Sequence, residues 1–176
     1  SPDDEKFFVE EGYGTDRTTF MHNDFVVLGP AADPAKVGGT KKAADAFRKI
    51  TGAGALFVSR GDKSGTHKKE LKIWEAAGAK PAGDKYLEAG QGMAATVAIA
   101  NEKDAYCLAD RSSYLSLRKT LRLKIVCEGD ESLLNRYSLI LVNPEKFPAV
   151  NAAGARAFFD FLLTKQVKKI VEKFGK

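Results

Sequence analysis

Along the chain, short runs of consecutive apolar residues alternate with stripes of helical period, and this alternation predicts the order of elements. Phe7, Phe8 and Val9 stand among acids and close on Gly12-Tyr13-Gly14, the pattern of a short helix ended by glycine. Thr18 to Leu28 is a long β-favouring run, interrupted by polar residues near its middle and stopped by Gly29-Pro30. Ala31 to Thr40 reads as a Pro- and Gly-bearing connection, after which Ala43, Phe47 and Ile50 mark one face of a helix ending near Thr51-Gly52. Leu56 to His67 is an apolar run that breaks into a small polar loop and then a helix start. Leu71 and Trp74, followed by Ala77-Gly78, supply that helix with an apolar stripe and a stop, which places Trp74 in the core.

Lys80 to Glu88 reads as a Pro/Gly loop, and Gly90-Gln91-Gly92-Met93 opens a second glycine-flanked helix with Met93, Val97 and Ala100 at helical spacing. Asp104 to Leu108 reads as a strand, Asp110 to Tyr114 as a helix start and Leu121 to Cys127 as a strand. Leu139-Ile140-Leu141-Val142 is a second long apolar strand, ended by Asn143-Pro144. The tail carries two helical stripes: Ala155, Phe158, Phe159 and Leu162, then Val167, Ile170, Val171 and Phe174. The alternation predicts an α/β fold with a mixed sheet in each of two lobes, and the two extended segments suit a strand-crossed hinge with the ligand between the lobes. On that reading 29–138 form one complete α/β lobe, and 1–28 with 139–176 form the hinge strands and part of the other.

With 176 residues, 44% of them hydrophobic, the chain suffices for one domain or two small lobes. No run approaches the ~20 apolar residues of a membrane span, and Ser1-Pro2-Asp3-Asp4-Glu5 is too acidic for the start of a signal peptide. A net charge of +5 raises the question of nucleic acid. Lys41-Lys42, Lys68-Lys69 and Lys168-Lys169 fall at polar positions of helical patterns without interleaved stacking aromatics, so solvated helix faces and no nucleic-acid partner are expected. A mild positive field still favours a small anion. Cys107 and Cys127 lack the spacing of a metal site, so no metal is expected; two buried thiols and a disulfide between neighbouring strands both remain open.

Candidate chemistry concentrates in Ser59-Arg60-Gly61-Asp62-Lys63-Ser64-Gly65-Thr66-His67. A strand-to-helix turn of this composition aims backbone N–H groups and hydroxyls at one point, at the positive end of a helix dipole, which makes a pocket for a small oxyanion. An ordinary N-capped βα loop explains the same residues. In the first reading Ser59, Ser64 and Thr66 are donors, Gly61 and Gly65 allow close backbone approach, and Arg60 supplies charge through a planar fork; in the second, Arg60 pairs with Asp62. Lys68 and Lys69 oppose the dipole of their helix, which a bound anion tolerates. The loop lacks the Gly-Lys-Ser/Thr order of a nucleotide P-loop. Hydrolysis would need Ser59 or Ser64 as nucleophile and His67 as base, outside any G-x-S-x-G elbow; a lone histidine in a first helical turn is more often surface or capping. Asp110 is expected to cap the helix after it, and Arg111 either points into the cleft or holds a cleft loop by hydrogen bonds.

Four ordered motifs, Met21 to Pro30, Ser59 to His67, Gly90-Gln91-Gly92-Met93 and Tyr106-Cys107-Leu108-Ala109-Asp110-Arg111, resemble the tungstate-binding component of bacterial ABC transporters over nearly the whole chain. The resemblance implies a type II periplasmic binding-protein fold, capture of tungstate or molybdate, delivery to a membrane permease, an extracytoplasmic location with the signal peptide outside this sequence, no catalysis and no cofactor. It assigns the oxyanion to Ser59, Arg60, Ser64, Gly65 and Thr66. It departs at the front, where the family's Thr/Ser-rich strand-to-helix loop has no equivalent before Ser1. An incomplete first lobe is the resulting expectation and, if the piece is absent, weak or no oxyanion affinity, exposed apolar surface and self-association. The rival readings are the effector-binding domain of a LysR-like transcriptional regulator, which shares this architecture, and a small α/β hydrolase using Ser64 and His67.

Overall fold

The structure of the protein, a computed structural model, describes residues 2–173. Phe174, the last position of the expected tail stripe, lies outside them. The order is α1 (Pro2–Glu10), β1 (Gly14–Gly29), α2 (Ala43–Gly52), β2 (Phe57–Ser59), α3 (Gly65–Ala77), β3 (Tyr86–Glu88), α4 (Met93–Glu102), β4 (Tyr106–Asp110), α5 (Arg111–Leu117), β5 (Lys124–Cys127), β6 (Leu134–Val142), α6 (Ala152–Leu162) and α7 (Lys165–Lys173). The six strands form a sheet of order β3-β2-β4-β1-β5, with β6 paired to β1. Two compact units result, one taking the chain up to His22 and again from Arg136, the other running Asn23–Asn135. The divisions fall within β1 and β6.

In the Asn23–Asn135 unit the sheet is mixed: β2 pairs in parallel with β3 and β4, and β1 pairs antiparallel with β4 and β5. Parallel strands need crossover helices, and α3 and α4 supply them. Both faces of these strands are covered, which is why Phe25-Val26-Val27-Leu28 is continuously apolar rather than alternating. The period of two then sorts one strand into two cores. Phe25, Val27, Phe57, Tyr106 and Leu108 meet Phe47, Ile50, Ile73 and Trp74 from α2 and α3. Val26, Leu28, Val58, Cys107 and Ala109 meet Met93, Val97 and Ala100 from α4. Trp74 is a core residue, its ring 4.2 Å from Phe47 and 5.0 Å from Phe57 between centroids.

The segment Lys80 to Glu88, expected as a loop, ends instead in β3, whose Tyr86, Leu87 and Glu88 stand opposite Phe57, Val58 and Ser59. Three residues behind Pro81 and Gly83 are too few to display a period, and their pairing with β2 is non-local.

In the other unit, the turn between α1 and β1 is fastened by the segment after β6. The Asn143 N–H donates to Tyr13 O at 3.0 Å, its side-chain amide donates to Gly12 O at 3.0 Å, and Lys146 Nζ lies 3.6 Å from the centre of the Tyr13 ring. Asn151 caps α6 by accepting the Gly154 N–H, and Phe159 and Val167 are buried while Phe7, Phe158, Phe161 and Ile170 are exposed. Among the described residues no helix is long and apolar enough to cross a membrane.

The sheet order settles the cysteines. Cys107 of β4 stands opposite Leu28 and Cys127 of β5 opposite Val27, so β1 runs between them, and they belong to different cores. The neighbouring-strand arrangement considered from sequence does not occur: two strand spacings are about 10 Å, beyond the reach of a disulfide. Both are free thiols. Burial pushes the Cys107 thiol up to about 12, and burial with the nearby Asp130 and Glu128 carboxylates pushes Cys127 up to about 11. Both thiols are therefore expected to resist a thiol-reactive dye in the native protein and to react fully once it is unfolded in urea; rapid native labelling would contradict this burial.

Candidate functional site

The parallel strands β2, β3 and β4 all end on one sheet edge, at Ser59, Glu88 and Asp110. The β2–β3 ladder continues past the strands: the Ala89 N–H donates to Ser59 O and the Gly90 N–H to Arg60 O, both at 2.9 Å. Gly90-Gln91-Gly92, which opens α4, is thereby held alongside Arg60. Gly61 has φ +62°, and a Cβ there would lie 2.7 Å from Glu88 Cβ, so both the turn and the close approach to β3 require glycine.

Within this frame the five expected residues are brought together, with different fates. Ser59 is fully buried, and its Oγ accepts the Gly61 N–H at 3.2 Å. Arg60 pairs with Asp62 through one terminal nitrogen, the ion pair weighed from sequence, while its Nε is buried with no partner among the described residues. Ser64 is the N-cap of α3: its Oγ accepts the His67 N–H at 3.3 Å, and its own N–H donates to Asp62 Oδ1 at 3.1 Å. An α-helix leaves its first four N–H groups without internal acceptors. Of these, the Ser64 N–H goes to Asp62 Oδ1 and the His67 N–H to Ser64 Oγ, while the Lys68 N–H makes the first ordinary helical bond, to Ser64 O at 2.9 Å. The N–H groups of Gly65 and Thr66 are the two left over. They stand at the positive end of the α3 dipole, in the same short loop as Arg60.

Asp62 is the loop's own anion. Its Oδ1 accepts the Ser64 N–H at 3.1 Å and its Oδ2 faces Arg60. Burial alone would raise its carboxyl, but the hydrogen bonds from Ser64 and Arg60 and the Arg60 charge outweigh burial and hold it down at about 2.

His67, expected at the surface or as a cap, is 8% exposed. Its Nδ1 accepts the Lys63 N–H at 3.0 Å, which places the proton of the neutral ring on Nε2, and that atom is buried without a partner. The Ser64 hydroxyl and the imidazole are not hydrogen-bonded to each other, so the Ser–His pair that a hydrolase needs is not assembled. Sequence reasoning also passed over Glu70, which is 1% exposed, with Tyr86 O–H (2.7 Å) and Trp74 Nε1–H (3.1 Å) donating to its Oε1. Its signal was positional: three residues after His67 and four before Trp74, it puts a charge on the stripe that faces the core.

At the neighbouring strand end Asp110 caps α5, its carboxylate accepting the Ser113 N–H at 2.8 Å and the Ser112 and Ser113 hydroxyls at 2.5 and 2.7 Å. Arg111 ties a strand to a neighbouring segment: Nε and a terminal nitrogen donate to Asp24 of β1 at 2.7 and 2.5 Å, and the same nitrogen donates to Glu128, just after β5, at 2.7 Å. Lys69, in the first turns of α3, reaches Ser132 O at 2.9 Å and Leu134 O at 3.1 Å. These contacts account for a cation placed against the dipole.

Comparison with known proteins agrees with this architecture. The chain is 46% identical over 172 residues to a putative ABC transporter anion-binding protein of Haloferax volcanii, covering 95% of this chain and 50% of that one. It is 42% identical to the tungstate-binding protein TupA of Peptoclostridium acidaminophilum, covering 98% of this chain and 61% of the relative. The chain thus spans between half and two thirds of the length of these curated relatives. The solved tungstate-binding protein TupA of Desulfovibrio alaskensis G20 superposes with a TM-score of 0.90 at 41% identity, covering all of this chain and 72% of that one. The profile of the PBP superfamily domain matches residues 1–166. The chain belongs to the PBP superfamily, the periplasmic binding-protein fold that its four motifs resemble.

Proposed function

We propose that this chain is the oxyanion-capturing part of an extracytoplasmic solute-binding protein that hands tungstate, with molybdate as its near-isosteric competitor, to an ABC-transporter permease. The observation that carries the reading is Arg60 Nε, buried and unpaired among the described residues, in the same short loop after β2 as the N–H groups of Gly65 and Thr66, which α3 cannot satisfy internally. A tetrahedral dianion is the complement of such a set. Guanidinium hydrogen bonds to an anion are about twice as strong as neutral ones, and the end of a helix dipole adds about 0.3–1 kcal/mol per unit charge, more when partly buried. The names borne by the relatives from Peptoclostridium and Desulfovibrio support tungstate as the ligand, and binding and delivery, rather than catalysis, as the task.

The loop's internal bonds refine the roles. Gly65 and Thr66 offer free backbone donors, and Arg60 offers charge. The Ser59 and Ser64 oxygens accept the Gly61 and His67 N–H groups, so both side chains shape the loop. Asp62, with one oxygen on the Ser64 N–H and the other on Arg60, is held within the loop and pairs the guanidinium.

Isothermal titration of the full-length protein with tungstate, molybdate, sulfate and phosphate tests the reading. Saturable heat with tungstate is expected, with sulfate and phosphate weaker. Arg60→Ala should weaken tungstate roughly 10- to 100-fold, the range for a lost hydrogen bond to a charged group. Absent heat with tungstate, or an affinity undiminished in Arg60→Ala, would sink the assignment.

Asp62 makes a separate prediction for the unliganded protein. Its folded-state pKa lies below the ordinary carboxylate value of 3.8, so its stabilisation is present above that value and is lost as the pH falls through about 2. The contribution at neutral pH is about 2 kcal/mol. Urea unfolding should therefore find Asp62→Asn less stable than wild type at pH 7, with the gap closing near pH 2; a gap independent of pH would contradict the assigned partners.

A further inference from the structure

A helix start is commonly closed by a reciprocal pair of bonds: the N-cap oxygen accepts the N–H of the third helical residue, and that residue's side chain reaches back to accept the N-cap N–H. In α3 the first half is present, with Ser64 Oγ accepting the His67 N–H at 3.3 Å. The second half is displaced along the chain. The Ser64 N–H goes to Asp62 Oδ1 at 3.1 Å, and the third helical residue, His67, reaches past it to take the Lys63 N–H on Nδ1 at 3.0 Å. Asp62 is thereby built into the start of α3 while its other oxygen faces Arg60.

The displacement strains the backbone. Lys63 has φ +60°, a left-handed conformation that glycine takes freely and a lysine takes only when its surroundings hold it there. The N–H that His67 accepts belongs to the peptide joining Asp62 to Lys63. Fixing that peptide fixes the residue whose carboxylate pairs Arg60. The ring is kept at a cost, because its Nε2 is buried with no partner among the described residues, and an apolar side chain would leave no such atom. What the imidazole adds is an acceptor of the required reach that carries no charge. A carboxylate in its place would set a further negative charge beside the Gly65 and Thr66 N–H groups, at the helix end that favours an anion.

We propose that His67 is a positioning residue of the oxyanion loop, holding the left-handed Lys63 turn through Nδ1 and so keeping Asp62 on Arg60. This rests on the oxyanion reading of the loop for its effect on affinity, but not for its effect on the loop. His67→Asn and His67→Leu share one branched outline, and only the asparagine carries an acceptor, close to where Nδ1 lies in histidine. Two measurements on the full-length protein are made for wild type and both variants: tungstate affinity by titration, and amide hydrogen exchange at Lys63 by NMR without ligand. His67→Leu is expected to raise the tungstate Kd about five- to tenfold, the effect of one lost hydrogen bond, and to speed Lys63 exchange to a similar degree, with Ile73 of α3 unchanged. His67→Asn should stay close to wild type in both. A wild-type Kd or wild-type Lys63 exchange in His67→Leu would overturn the proposal. So would a His67→Asn protein as impaired as His67→Leu, because the ring and not its acceptor would then be what the loop needs. If wild type fails to bind tungstate, the oxyanion reading falls, and Lys63 exchange still decides whether His67 holds the loop. If either variant does not fold, the ring nitrogen shifts of wild-type His67 at pH 8 provide the test: an unprotonated Nδ1 supports the proposal, and a proton on Nδ1 overturns it.

Discussion

Parallel pairing on both sides of β2 is the constraint on which the site depends. Three residues, Phe57–Ser59, are paired to β3 on one side and β4 on the other, and the three strands end at a common edge. Parallel neighbours need crossovers, so the chain leaves that edge through α3, crosses the face of the sheet and returns, then leaves again through α4. Helix starts therefore collect where the strands stop, and the N–H groups that a first turn cannot satisfy are presented there. The continuation of the ladder through Ala89 and Gly90 adds the second glycine loop to the same place.

The core makes that edge rigid. Phe47, Phe57 and Trp74 lock α2 and α3 to one face of the sheet, which fixes the position of the α3 start relative to Ser59. The other face is filled by the smaller Val97 and Ala100 of α4 against Val58 and Cys107. A loop only a few residues long, pinned at both ends to packed elements, has few conformations to lose when an anion arrives, so more of its hydrogen-bond energy is available for binding.

Charge in the loop is nearly all spoken for. Asp62 answers Arg60 and Ser64, Glu70 answers Tyr86 and Trp74, and the His67 ring accepts the Lys63 N–H. At the neighbouring strand ends Asp110, Asp24 and Glu128 occupy the α5 start and Arg111. Because buried polar groups are nearly always satisfied, the few that are not, Arg60 Nε foremost, carry the information about what the loop is for.

Much of this was legible in the chain itself. Apolar runs and helical stripes gave the element order, because a strand buried on both faces and an amphipathic helix each leave a period or run that needs no knowledge of its partner. The loop Ser59 to Thr66 was recognisable from residue types alone, and the capping of α5 by Asp110 followed from local hydrogen bonding. What sequence left open was decided by pairing between distant segments. Only the sheet order shows that β1 separates Cys107 from Cys127, that the three residues Tyr86–Glu88 are a strand, and that Arg111 is held by Asp24 and Glu128. The same holds for His67 and Glu70, whose neighbours turn a first-turn histidine and a charged stripe residue into buried, hydrogen-bonded groups. Local propensity acts along the chain, whereas burial and partner choice act across it, and a single line of residues records the first directly and the second only as an anomaly in the pattern.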